Sequence, residues 1–287
     1  MRIFQHWDME GVSGIFAREQ VWYWEEGVRP EVAAEGKRLL TADARALAVS
    51  TLQAGADALI ICDTHHGGDN IDPAQMAFDP RVTFLPRSVG YQGSERRWMP
   101  GLDGCDALML PGHHAKAGTP GAFLPHTWTL EWADFQINGV SVGEMGIEAC
   151  YAGHWDVPCI LAQGDEHACR EASALFPGVV TVAVKQALGL DQCTGLDLAA
   201  AHALMAQKAA EAVARARQGL IKPLKFALPM TVTIRMHTAA MVEKALQRPG
   251  VVGAERLDEL TVQGRVAQQC DVVKWILGTG LNMPERR

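Results

Sequence analysis

Apolar residues recur at helical spacing along Ala42, Ala44, Leu47, Ala48, Thr51 and Leu52, and Gly55 ends the run. The continuous apolar stretch Ala58-Leu59-Ile60-Ile61-Cys62 follows at once, so a helix is predicted to feed a buried strand. A first strand is predicted over residues 2–8. Residues 12–35 then read as a long connection that carries Phe16, Trp22, Tyr23 and Trp24, with Pro30 near its end. Further strands are predicted at 82–85, 107–110 and 159–162, each a short apolar run followed by Gly, Pro or polar residues. Asn138-Gly139, between Phe135-Gln136-Ile137 and Val140-Ser141-Val142, signals a two-residue hairpin, because both turn positions need positive φ. Helices are predicted over 143–153, 165–175 and 196–217. After Gly219 the alternating segment Met230-Thr231-Val232-Thr233-Ile234 reads as a half-exposed strand, and a helix is expected over 238–246.

This pattern predicts an α/β fold with a mostly parallel central sheet covered by helices on both faces. A smaller C-terminal α+β lobe is expected over 220–287, beside a main α/β domain over 1–219 that carries the chemistry. A length of 287 residues accommodates both around one main core.

Composition narrows the class. With 48% hydrophobic and 21% charged residues the chain is expected to be globular, and a net charge of -7 without a basic block argues against a nucleic-acid partner. The seven cysteines are scattered, odd in number and form no C-x-x-C pair, which disfavours a disulfide framework and a zinc ribbon. No apolar leader core and no membrane-length apolar run occurs, so a cytoplasmic protein is expected, with no membrane partner.

The candidate chemistry lies at predicted strand ends. Asp8 and Glu10 close the first strand two residues apart, a spacing that turns both carboxylates to one face of a strand. Such a pair repels unless a cation lies between its members. Asp63-Thr64-His65-His66 follows the second apolar strand, and His113-His114 follows another; in an open parallel sheet these ends share one edge, where ligands bind. Carboxylate plus imidazole suits zinc or another first-row divalent metal rather than calcium or magnesium. Glu144 and Glu148 lie one turn apart on a predicted helix, and either could be a ligand or, for Glu144, a carboxylate at a helix N-terminus. His126 could serve as acid, base or nucleophile, or be an ordinary loop residue. No G-x-S-x-G, P-loop or H-E-x-x-H motif occurs, so serine hydrolase, nucleotide-binding and thermolysin-like readings lack their motifs.

An ordered series of short motifs resembles the bacterial D-aminopeptidases of the DppA type, peptidase family M55. It comprises D-M-E-G-x-S-G at 8–14, D-T-H at 63–65, G-H-H-A-K-A-G-T-P-G at 112–121, V-G-E-x-G at 142–146, A-G-x-x-D-V-P at 152–158 and A-V-K-Q at 183–186. The resemblance implies a two-zinc aminopeptidase acting on short peptides with an N-terminal D-amino acid. In it Asp8 bridges the two metals, and Glu10, His65, His114 and Glu144 match the remaining ligand positions. It makes His126 the catalytic histidine and implies a homo-oligomer, a ring-shaped decamer in the family's architecture. Asp63, His66, His113 and Glu148 remain candidates for a supporting shell or for substrate contacts. Two other functions stay compatible with the residues alone: a metal-dependent amidohydrolase or deaminase of a small amide, suggested by Trp22, Tyr23 and Trp24, and a non-catalytic metal- or ligand-binding protein.

Overall fold

A computed structural model describes residues 1–85, 98–247 and 253–273. The chain begins with β1 (Arg2–Trp7), α1 (Pro30–Gln53), β2 (Ala58–Asp63), α2 (Pro73–Met76), β3 (Val82–Leu85) and β4 (Ala107–Leu110). A hairpin of β5 (Trp132–Ile137) and β6 (Val140–Ser141) leads into α3 (Glu144–Gly153), β7 (Cys159–Asp165), α4 (Glu166–Leu175), β8 (Val180–Ala187) and β9 (Cys193–Gly195). Then come α5 (Leu198–Arg217), β10 (Met230–Met236), α6 (Ala239–Leu246), β11 (Glu255–Arg256) and β12 (Thr261–Val266).

Among the described residues the main sheet has seven strands in the order β3-β2-β1-β4-β7-β8-β9, parallel except for the final pairing of β8 with β9. Its central strands are buried on both faces, which is why β2 and β4 read as unbroken apolar runs, while β1 also buries the polar Gln5 and His6. Successive residues of β4 divide between two cores. Leu108 and Leu110 join a cluster with Met145 and Ile147 of α3, Ala168 and Ala172 of α4, and Phe135 of β5. Ala107 and Met109 join a second with Leu40 and Leu47 of α1 and Met205 and Ala209 of α5. The fold is therefore α/β with both faces covered, as the pattern predicted.

A second sheet, ordered β11-β12-β10-β5-β6, is antiparallel throughout. Its strands come from both sides of residue 220: the hairpin at 132–141 pairs β5 with β10 across positions such as Ile137 and Val232. Asn138 and Gly139 turn it at φ of 50° and 79°, as the hairpin signal required.

Several elements differ from their sequence reading: α2, β9, β11 and β12 were not among those expected, and three more differences bear on the site. Helix α1 begins at Pro30, twelve residues before the apolar periodicity starts at Ala42, because its first turns are charged and mostly exposed. Strand β8 was not predicted, since its alternation is interrupted by buried Lys185. Strand β1 stops at Trp7, so Asp8 and Glu10 converge through the turn that follows rather than by strand alternation.

Candidate metal centre

Strand β1 lies between β2 and β4: the strand order runs outward from β1 through β2 to β3 on one side and through β4 to β7 on the other, so the sheet has its switch point there. The segments leaving these strands are laced by backbone hydrogen bonds. Asp8 N donates to Pro111 O (3.1 Å), Gly11 N to Gly112 O (2.6 Å) and Thr64 N to Trp7 O (2.8 Å). Such close approach has a steric requirement: Gly112 sits at φ +76°, and a Cβ there would stand 2.1 Å from the carbonyl oxygen of Asp8. Gly112→Ala is thus expected to cost on the order of 3 kcal/mol, from backbone strain plus displacement of the Asp8 turn. A fall in the thermal midpoint together with weaker metal binding checks this; an unchanged midpoint would contradict it.

Asp8 lies between two imidazoles, with Oδ1 2.9 Å from His65 Nδ1 and Oδ2 3.3 Å from His114 Nε2. Glu10 Oε2 is 3.3 Å from the same His65 nitrogen, and Glu144 Oε1 is 3.2 Å from the same His114 nitrogen. Two donor triads result, Asp8/Glu10/His65 and Asp8/His114/Glu144, each with ligand atoms within 4.8 Å of one another. They share Asp8. His126 Nε2 faces both, 4.0 Å from Glu10 Oε1 and 3.7 Å from Glu144 Oε1, and its ring stacks on His114 at 3.8 Å between centroids.

The hydrogen bonds around this cluster suit a cation. His65 Nε2 meets the Val21 carbonyl at 3.2 Å and His114 Nδ1 the Ala115 carbonyl at 3.0 Å. A carbonyl only accepts, so the ring proton of each neutral imidazole sits on that outer nitrogen and the inner one presents a lone pair, as a metal-ligating histidine requires. Glu10 Oε2 and His114 Nε2 are buried and complete no hydrogen bond despite their close neighbours. Glu10 Oε1 accepts from Trp22 Nε1 at 2.9 Å, and Glu144 Oε1 from Trp128 N at 2.6 Å, which fixes both carboxylates.

Electrostatics agree. Burial pushes the Asp8 carboxyl up, yet contacts with His114 and His65 pull it well below the ordinary carboxylate range. Glu144, opposed by burial, is drawn down to about 2, chiefly by His114. Burial disfavours the charged imidazoles of His65 and His114, and the surrounding carboxylates nevertheless raise both well above the usual histidine value. A pocket that holds protons this firmly lacks positive charge, and divalent ions would displace those protons. Nitrogen and oxygen donors in this ratio fit zinc.

The other predicted residues lie around this centre. His113 and Glu148 are fully buried beneath it: His113 Nε2 is 3.3 Å from Glu148 Oε2, and the other Glu148 oxygen is 2.9 Å from His6 Nδ1. Asp63 is buried with its oxygens turned to Asn70 N (2.6 Å), Asn70 Nδ2 (3.1 Å) and Ile71 N (3.1 Å), so it braces the loop that carries His65. His66 faces outward, stacked on Trp24 with ring centroids 4.2 Å apart. Residues absent from the sequence reading of the site also bear on it. Lys185 Nζ, wholly buried, donates to the carbonyls of Glu10 (2.8 Å) and Ile15 (2.6 Å), and the backbone N–H of Trp128 holds Glu144. Nothing in the sequence marks a backbone donor, whereas Lys185 stood in the A-V-K-Q motif at 183–186 without a role.

The family model described as Peptidase_M55, D-aminopeptidase, matches residues 1–277 of the chain. The D-aminopeptidase of Bacillus subtilis (strain 168) is 29% identical over 252 residues, covering 87% of this chain and 86% of that protein. Among solved structures, the Zn-dependent D-aminopeptidase DppA from Bacillus subtilis, described as a self-compartmentalizing protease, aligns with a TM-score of 0.86 and 25% identity. That alignment covers 100% of this chain and 99% of the other.

Proposed function

Since the chain belongs to the M55 family of D-aminopeptidases, we propose that it is a zinc-dependent aminopeptidase that releases a D-amino acid from the N-terminus of short peptides. The observation that carries the proposal is the pair of donor triads sharing Asp8. One zinc would be held by Asp8, Glu10 and His65, the other by Asp8, His114 and Glu144. When bound, such ions supply an acidified water as nucleophile and polarise the scissile carbonyl.

The chain's own groups do the rest. His126 Nδ1 donates to the Leu124 carbonyl at 2.9 Å, so Nε2 carries the free lone pair and faces the space between Glu10 and Glu144. Burial and the neighbouring His114 lower the His126 pKa, which favours the neutral ring able to accept a proton. We assign His126 the transfer of the water's proton to the departing amine. Trp22 closes one side of the centre, its indole edge-on to His126 with centroids 5.6 Å apart, which restricts bulk water. The exposed Trp24 and its partner His66 offer a flat surface at the rim for the substrate's side chain.

We extend the proposal to assembly and location: a closed homo-oligomer, decameric in its full form, working in the cytoplasm, in which residues 220–287 form the greater part of a smaller lobe. Among the described residues no helix is long and apolar enough to cross a membrane. The self-compartmentalizing character of the similar solved protein supports an enclosed assembly here.

The deciding experiment compares D-Ala and L-Ala dipeptides with primary amides, using zinc-replete and chelated protein. Chelation is expected to abolish turnover and zinc to restore it, with free amino acid released from the D-dipeptide. Ammonia from a primary amide without dipeptide cleavage would make the protein an amidohydrolase. Stoichiometric zinc binding without any turnover would make it a metal-binding protein.

A further inference from the structure

His114 and Glu144 come from separate segments, and a shared metal requires the distance between them to be held. One side chain outside the donor triads spans both segments. Glu171, in the middle of α4, accepts from Lys116 N through Oε2 at 2.8 Å and from Gly143 N through Oε1 at 3.1 Å. Lys116 stands two residues after His114, and Gly143 immediately precedes Glu144. The two oxygens of one planar carboxylate thus set the spacing between two ligand-bearing backbones. Hydrogen bonds to an ionised acceptor are about twice as strong as neutral ones.

The surroundings are shaped to this contact. A Cβ at position 143 would lie 2.5 Å from Glu171 Oε1 and 2.8 Å from the Lys116 Cβ, so the three residues meet only because one is glycine. The helix presenting Glu171 is itself anchored: Asp165 caps it by accepting from Ala168 N at 2.7 Å, and its other oxygen accepts from Phe123 N at 3.0 Å. Lys116 Nζ also reaches Ser141 Oγ at 2.7 Å, which draws the same two segments together.

The other triad is braced by different groups. Lys185 holds the carbonyls of Glu10 and Ile15, and Asp63 with Asn70 holds the loop of His65, where Asn70 Nδ2 donates to the His65 carbonyl at 2.9 Å. Within the described contacts Glu171 touches neither segment.

We propose that Glu171 is a positioning residue for one metal of the pair: its carboxylate fixes His114 against Glu144, and its loss weakens the Asp8/His114/Glu144 site while sparing the Asp8/Glu10/His65 site. The inference rests on the two-metal reading above.

The test is a zinc titration of the metal-free full-length chain, with competition against a chelator and parallel cobalt spectra to report each site. Wild-type protein is expected to bind two ions. Glu171→Gln keeps the shape but turns an amide N–H₂ towards one of the two backbone N–H groups. It is expected to bind one ion with wild-type affinity and the other about 10–100-fold more weakly. Glu171→Ala should weaken that second ion at least as much. Failure of the wild type to take up two ions would remove the two-metal reading, independently of Glu171. Given two ions in the wild type, equal affinities in the Gln variant overturn the proposal. So does equal weakening of both sites, or loss of the folded state in both variants, since either would mean that Glu171 supports the fold at large.

Discussion

Asp8→Asn is expected to strip both metals and to reduce kcat/KM by about 10³-fold or more, the factor that corresponds to losing several kcal/mol of transition-state charge stabilisation. No other residue belongs to both triads. Asparagine preserves the side-chain shape but offers one neutral oxygen, and its amide nitrogen would face a cation. The backbone at this position is held independently by Asp8 N donating to Pro111 O, so the fold should survive. The metal-free variant should melt below the metal-free wild type, because Asp8→Asn takes away the buried carboxylate that pairs with the imidazoles of His65 and His114. Zinc should raise the midpoint of the wild type and leave that of the variant unchanged, since only a ligand that binds the folded state stabilises it. Metal analysis, steady-state kinetics and calorimetry on the two proteins read out all three effects. An Asn variant that kept two zinc ions and comparable kcat/KM would sink the bridging role.

The parts of this centre visible in the sequence are those presented by strand ends. Asp8, His65 and His114 each follow a predicted strand, and parallel strands deliver their ends to one edge whatever the details of the helices between them. That geometry converts one-dimensional spacing into three-dimensional proximity. Glu144 was legible only as one of two helical carboxylates. The structure separates them, turning Glu144 towards His114 and burying Glu148 with His6 and His113. Glu171 escaped, and Lys185 was visible only inside the A-V-K-Q motif with no role attached, because their partners are backbone atoms of distant segments, and a peptide N–H or C=O carries no mark in the sequence. The early start of α1 escaped for another reason: its first turns bury little, so apolar periodicity was silent there, and Pro30 served as a first-turn residue rather than as a loop marker.

His126→Ala separates chemistry from metal binding. The ring lies outside both triads that share Asp8, and it reaches the centre only through its stack on His114 and the longer distances of 3.7 and 4.0 Å to Glu144 and Glu10. Removing it should leave zinc content at the wild-type value while kcat falls roughly 10²–10⁴-fold, the usual contribution of a positioned proton carrier. KM should change far less, because a group that acts on the proton in the transition state contributes little to binding the ground state. The cavity left beside Trp22 is large enough in chemistry, an imidazole-shaped gap with the Leu124 carbonyl at its far end, to admit free imidazole. Added imidazole is therefore expected to restore part of the lost rate in the variant and to leave the wild type unaffected. Loss of a zinc ion in the variant would instead make His126 a ligand, as its membership of a Glu10/His114/His126 group would then require. An unreduced kcat would move the proton transfer to a carboxylate of the centre, with Glu10 and Glu144 the groups next in line.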